Sequence, residues 1–276
     1  MGLCESFSGN DNQDLIMLYI LWFILGSVIG SFLNVLIYRL PRQEQFVRGG
    51  SVCPKCNHVL KSKDLIPLLS FIFLGGKCRY CHKNISWQYP VIEFVTGVLF
   101  VFIAYYHQIN MDFGDILFWR NLIIVSGLIV VFMTDLKHFL LFDAVTWFLV
   151  IIAVISNFVL SIMSVSWQTS LWEFVLAGVA GALFFWLQHA LSRGAWVGQG
   201  DIYLGLLMGL LLGPQNLMVA LFFAYVLGAL VSIILLLKKK KQLKSQVPFG
   251  VFLALGTFIA MFWGQRILTW YLSLLS

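Results

Sequence analysis

The sequence predicts an all-α polytopic membrane protein, with about eight transmembrane helices and a cytoplasmic zinc-ribbon-like loop. Three observations predict it. Of the 276 residues, 60% are hydrophobic and 11% are charged, and the mean hydropathy is +0.90. A soluble domain carries about 25% charged residues, so too few polar side chains remain to cover a water-facing surface. Eight apolar runs approach the length of about 20 residues that spans a bilayer. Four of the five cysteines form two CxxC pairs inside the first long polar segment.

The runs fall at roughly 15–38, 89–106, 116–134, 144–163, 172–191, 202–213, 217–237 and 248–272. The sixth is short and ends at Gly213-Pro214, so it is expected to be extended or packed inside the bundle. The first run lacks a basic segment before it and a small-residue cleavage site after it, so it reads as a span and not a removable signal. The stretch Leu65–Leu74 contains Pro67 and is too short to cross, which marks it as interfacial or as part of the first loop. Cys4 carries no assigned role.

Charge orients these runs. Nine of the eighteen Lys and Arg residues lie between Arg39 and Lys83, and five more between Lys238 and Lys244. Cytoplasmic loops carry the excess of positive charge, so loops 39–88, 135–143, 192–201 and 238–247 are expected on that side. The opposite loops hold Asp112, Asp115 and Glu173. The net charge of +6 would hint at nucleic acid in a soluble chain, but this placement describes membrane topology, and no nucleic-acid partner is expected. The tetralysine run Lys238–Lys241 reads as an anchor behind the seventh span.

Cys53-Pro-Lys-Cys56 and Cys78-Arg-Tyr-Cys81 are separated by 21 residues. Each pair offers two thiolates from one tight turn, and two pairs close a tetrahedral Cys4 site. Such a site has no open coordination position, so its zinc would be structural. A reducing cytoplasm disfavours the disulfide alternative. His58 and His82 adjoin the two turns and read as solvated loop residues or substitute ligands.

Three of the twelve acids gather at one predicted rim: Asp135, Asp143 and Asp201. Acids at bilayer depth are costly and tend to be paired or functional. Two carboxyls brought face to face cannot both ionise easily; one then holds a proton while the other activates a water for hydrolysis. Asp201 closes Gly198-Gln199-Gly200-Asp201, where the glycines permit a sharp turn and close backbone approach. Taken singly, Asp201 also fits a helix N-cap and Asp135 a solvated helix end. Asp143 either caps the fourth helix or competes for a place in the pair, with His138 nearby. Glu93 lies inside the second span and Asn34 inside the first, each readable as functional or as an interhelical hydrogen bond.

Taken in order, Gly30-Ser31-Phe32-Leu33-Asn34-Val35-Leu36-Ile37-Tyr38-Arg39-Leu40-Pro41, the two CxxC pairs, Tyr89-Pro90-Val91-Ile92-Glu93, the Asp135 segment, Gly198–Asp201 and Pro248-Phe249-Gly250 resemble the prepilin (type IV leader) peptidase family. The resemblance runs from about Gly26 to Leu255. It implies a bifunctional aspartic endopeptidase of the bacterial inner (cytoplasmic) membrane. That enzyme cleaves the basic leader of prepilins or pseudopilins at the cytoplasmic face and N-methylates the new amino terminus from S-adenosylmethionine.

Carried over by position, Asp135 and Asp201 are the catalytic pair, with Asp143, Gly198, Gly200 and Glu93 as supporting positions and Cys53, Cys56, Cys78 and Cys81 as zinc ligands. Residues 1–106, with the cysteine loop at about 39–88, would form the methyltransferase-associated part, and 107–276 a six-helix peptidase region. Two departures stand out: Leu141-Phe142-Asp143 where the family often has Ile-Pro-Asp, and Tyr203 where it often has Lys. The rival reading is a non-enzymatic scaffold or transporter with a zinc-ribbon docking loop. A presenilin-like peptidase would need a Tyr-Asp pair in a span, and Thr134 precedes Asp135.

Overall fold

The structure is a computed structural model that describes residues 9–45, 50–108, 115–163, 167–238 and 247–274. Cys4, Asp112 and the lysines 239–241 and 244 lie outside the described residues. Helix dominates, as expected for chain in lipid, where every backbone N–H must be satisfied within its own segment. The helices are α1 (Gly9–Arg39), α2 (Leu69–Phe73), α3 (Gln88–Gln108), α4 (Ile116–His138), α5 (Asp143–Met163), α6 (Trp167–Ser192), α7 (Gln199–Leu237) and α8 (Phe249–Ser273). All but α2 are long and apolar enough to cross a membrane. The chain divides into residues 1–122 and 123–276, with the boundary inside α4.

In the first unit α1 packs on α3. Gly26 and Gly30, one helical turn apart, let the backbones nearly touch: a Cβ on Gly26 would lie 2.8 Å from the Gly97 Cα, and one on Gly30 2.8 Å from the Glu93 Cα. Small residues four apart are the usual means of close approach between helices in lipid, where no hydrophobic force drives association. Between these helices the chain forms the cysteine loop.

The second unit is built on α5, α6, α7 and α8 and the end of α4, with Leu149, Phe185, Leu204, Leu207, Met208 and Leu253 among its fully buried side chains. Helix α7 is the element that departs from simple counting. It has 39 residues, about 58 Å of helix, against a hydrocarbon core of about 30 Å. The excess is resolved by a break at Gly213, with φ 73° and ψ 178°, a conformation that essentially only glycine adopts. Pro214 follows and cannot donate to the preceding turn.

The two arms run in opposite directions. Gly209 meets the backbone of Ala177, and Gly205 meets Gly181, so the first arm is antiparallel to α6. Beyond the break, Tyr225 bonds Gln188 near the other end of α6, so the chain has turned back. The second arm then pairs antiparallel with α8, where Gly256 packs on Ala220 and Ala224, and Gly264 on Asn216. The two runs expected at 202–213 and 217–237 are therefore one helical element folded into a hairpin. Among the described residues seven helices are long and apolar enough to cross a membrane, one fewer than the eight runs expected, because the sixth and seventh runs share α7.

Candidate active site and metal centre

Asp135 ends α4. Lys137 and His138 follow in the last turn, where cations complement the helix carbonyls. Phe139 then takes the left-handed conformation (φ 54°) and donates its N–H to the Asp135 carbonyl at 2.9 Å, closing the helix. The Asp135 side chain is 6% exposed. Its Oδ2 accepts the Val251 N–H at 3.1 Å, and the Gly250 N–H is a second donor. Both amides belong to the first turn of α8, which starts after Pro248. Free amides at a helix start are well suited to holding a carboxylate.

Asp201 stands in the first turn of α7, three residues after the N-cap Gly198, whose N–H donates to Asp201 Oδ2 at 3.0 Å. The second oxygen, Oδ1, is buried and has no protein partner. A buried acceptor left in that state costs about 1–3 kcal/mol, so Asp201 is only half accounted for as a cap. The two carboxylates lie within electrostatic reach of one another and line the same cavity of about 1090 Å³. The cavity walls come from the turn after α4, the loop before α7, the second arm of α7 and the start of α8.

Leu141 fixes the spacing of these walls. A Cβ on Gly200 would lie 2.6 Å from the Leu141 Cβ, and one on Gly250 2.9 Å from Leu141 Cδ2. Both glycines thus accommodate one side chain, which wedges the α4 turn against the starts of α7 and α8. Asp143 lines the cavity as the exposed first residue of α5, placed to favour the helix dipole. Tyr203 stacks on Trp147, with ring centroids 5.5 Å apart.

Two lining residues were not singled out in the sequence. The Tyr225 hydroxyl donates to Gln188 Oε1 at 2.8 Å on the cavity wall. Both are polar groups inside apolar spans, the same signal that drew attention to Glu93. The loop that delivers Asp201 is also pinned: the His189 Nδ1 lies 2.8 Å from the Val197 carbonyl.

Glu93 belongs to the first unit, where its Oε2 accepts the Leu68 N–H at 2.8 Å. Asn34 donates to the Tyr89 carbonyl at 3.1 Å and accepts from Gln88 at 3.3 Å. Both groups tie the start of α3 to its surroundings.

The two CxxC turns repeat each other with an offset of 25 residues. Asn57 and His82 take left-handed φ values of 55° and 54° and donate to the carbonyls of Cys53 and Cys78. The Cys53 and Cys78 amides donate to the His58 and Lys83 carbonyls, and bridges Val52–Val59 and Lys77–Asn84 close each turn. The four Sγ atoms all lie within 4.8 Å of one another, with Cys53 and Cys81 3.9 Å apart. A tetrahedron with metal–sulfur bonds of about 2.3 Å has edges of about 3.8 Å, so the arrangement fits a tetrahedral ion.

The thiols compete for charge. Burial opposes ionisation of Cys53, yet the amides of Lys55 and Cys56 bring its pKa down to about 7. Cys56, despite the His58 amide, is pushed up to about 11 by desolvation and by Cys53 and Cys81. Four thiolates in this space require a cation. Neither histidine joins them: His58 stacks on Tyr80 at 3.7 Å, and His82 forms the left-handed corner. Asp64 braces the second turn through the Arg79 guanidinium (2.6 Å) and the Tyr80 hydroxyl (3.2 Å). Arg79 holds its carboxyl below the usual range.

Residues 24–107 match the bacterial peptidase A24 N-terminal domain, and residues 122–233 match the type IV leader peptidase family. A prepilin leader peptidase/N-methyltransferase of Bacillus subtilis is 31% identical, the alignment covering 91% of this chain and 97% of that protein. The proteins of the same name from Legionella pneumophila and Pseudomonas aeruginosa are 30% and 28% identical, over 93% and 91% of this chain and 95% and 92% of theirs. No solved structure matches the chain. With two buried carboxylates lining one cavity in one unit and four clustered thiols in the other, and on these matches, the chain belongs to the type IV leader peptidase family.

Proposed function

We propose that the chain cleaves the leader of type IV prepilins or pseudopilins and N-methylates the new amino terminus, with Asp135 and Asp201 as the catalytic pair of the peptidase. The observation that carries the pair is that both carboxylates, from separate helices, line one cavity. An aspartic pair works with one proton between two carboxyls. The unprotonated carboxyl takes a proton from water as the oxygen attacks the scissile carbonyl. The other donates its proton toward that carbonyl, and the leaving amine is then protonated as the C–N bond breaks. Val251 and Gly250 hold Asp135 in place for this, while the buried Oδ1 of Asp201 is left for a water or the substrate.

A prepilin is itself a membrane helix behind a basic leader, so its cut site lies at the inner rim. The positive-inside rule puts loops 135–143 and 192–201 at that rim in the cytoplasmic membrane, and the carboxylates there complement a basic leader. Zinc is the ion that four thiolates in a closed tetrahedron select, and it would neutralise the thiolates and hold the loop together. Cys53, Cys56, Cys78 and Cys81 would hold it. For S-adenosylmethionine, Asn34, Glu93 and Thr96 of the first unit are engaged by other protein groups, and among its described residues Trp22 Nε1 and Ser27 Oγ are the buried side-chain polar atoms without a partner. A non-enzymatic scaffold does not explain membership of a peptidase family.

The test is cleavage of a prepilin peptide by full-length protein. Asp135→Ala and Asp201→Ala should each lower the rate roughly 10³-fold or more with membrane insertion unchanged. Full activity in either variant removes that residue from the pair.

A further inference from the structure

The short helix α2 and Trp87 present an apolar surface that the rest of the first unit does not cover. Phe73 is 82% exposed, Trp87 73%, Ile72 69% and Leu69 50%. In a loop surrounded by water this would be unfavourable. The surface is not a loose flap: the Phe71 ring packs on Trp87 with centroids 5.0 Å apart, and the chain enters α2 through Leu68 with φ 61° and ψ −50°. A non-glycine residue is held in that region only when its surroundings demand it.

The demand comes from Glu93, which takes the Leu68 N–H. Glu93 lies five residues into α3, or about 7.5 Å along its axis. The 21 residues of α3 amount to about 31 Å, barely enough to cross a core of about 30 Å. The start of α2 is therefore held at a level that α3 needs for lipid. It is also continuous with the lipid-facing stripe of α3: Trp87, Val91, Phe94 and Val98 follow at helical spacing and are all exposed. Exposed Lys61, Lys63 and Lys77 flank the surface, and tryptophan beside lysine is the usual composition of a membrane boundary.

We propose that α2 and Trp87 form a lipid-seated anchor, with Leu69, Ile72, Phe73 and Trp87 entering the headgroup–acyl boundary and holding the Cys4 loop against the membrane surface. The depth fits the roughly 5–10 Å at which interfacial helices bury their apolar face. The proposal requires only that the chain spans a bilayer and is independent of which residues catalyse.

The test places a photoreactive side chain in the full-length protein, Phe73→benzoylphenylalanine, in nanodiscs of phosphatidylcholine and phosphatidylglycerol. Phe73 is 82% exposed, so the larger side chain displaces little packing. Phe94→benzoylphenylalanine, on the lipid face of α3, is the reference. After irradiation, intact-mass spectrometry should show phospholipid adducts at position 73 within about threefold of position 94. Adducts at least tenfold rarer than at the reference would overturn the proposal, whether the probe stays unreacted in water or crosslinks to polypeptide.

Discussion

Gly250 offers the sharpest test of how the pair is positioned. Its backbone is helical, with no positive φ among the described exceptions, so Gly250→Ala meets no backbone strain and gains about 1 kcal/mol of helix propensity. The added methyl, however, would lie 2.9 Å from Asp135 Oδ2 and 2.9 Å from Leu141 Cδ2, where ordinary contact begins at 3.4 Å. The carboxylate and the leucine must each yield by about 0.5 Å to reach that distance. Overpacking of this kind costs about 1–3 kcal/mol, so the net loss of stability is small. Catalysis is less forgiving: a 1 Å misplacement costs about 10²-fold, so half of that should lower kcat roughly tenfold. Single-turnover cleavage of a prepilin peptide, paired with a thermal melt of the same sample, separates the two effects. A kcat within about twofold of the parent, at an unchanged Tm, would refute the argument that α8 sets the catalytic position of Asp135.

Other substitutions probe the rest of the frame. Gly213→Ala places a side chain in a glycine-only conformation beside Phe174 and should cost about 1–3 kcal/mol, read as a lowered Tm. Cys53→Ser should release zinc, measured as metal content of the purified protein; unchanged content would refute the Cys4 site. Glu93→Ala strands the Leu68 N–H and should cost about 1–3 kcal/mol, whereas Glu93→Gln keeps an acceptor and should retain both stability and methylation. Loss of methylation in the Gln variant at an unchanged Tm would instead give the carboxylate a chemical role.

What the sequence revealed divides along a physical line. Hydropathy is a local property, so the crossings were legible, including the short sixth run whose end at Gly213-Pro214 is the hairpin's turn. The cysteine turns were legible for the same reason: a CxxC knuckle is a self-contained hydrogen-bonding unit of about seven residues, seen twice here with the same bonds. Contacts between distant segments were not. Nothing in the spacing of Leu141, Gly200 and Gly250 announces that one leucine is clasped by two glycines. Nor does any local pattern join Asp135 to the Val251 amide, 116 residues away. Glu93 shows the limit best: an acid in a span reads as function or as a structural bond, and its partner, an amide in another segment, is not written in the residues around it.

The same division explains why Asp201 resisted a single reading. As a capping residue it is complete through one oxygen, accepting the Gly198 N–H, and a cap needs no more. A residue serving only as a cap would turn its other oxygen to solvent, since burying it unpaired costs about 1–3 kcal/mol. Here that oxygen is buried, in a residue that lines a cavity shared with a second carboxylate. Capping therefore fixes the side chain's direction and leaves the buried oxygen without a protein partner, as the proposed role of Asp201 in the pair requires. An aspartate at the start of a helix can hold a reactive group still for this reason. Asp135 uses the complementary arrangement, fixed by the amides of a neighbouring helix start instead of its own. Two helix N-termini, those of α7 and α8, each hold one carboxylate of the pair, and Leu141 sets the gap between them.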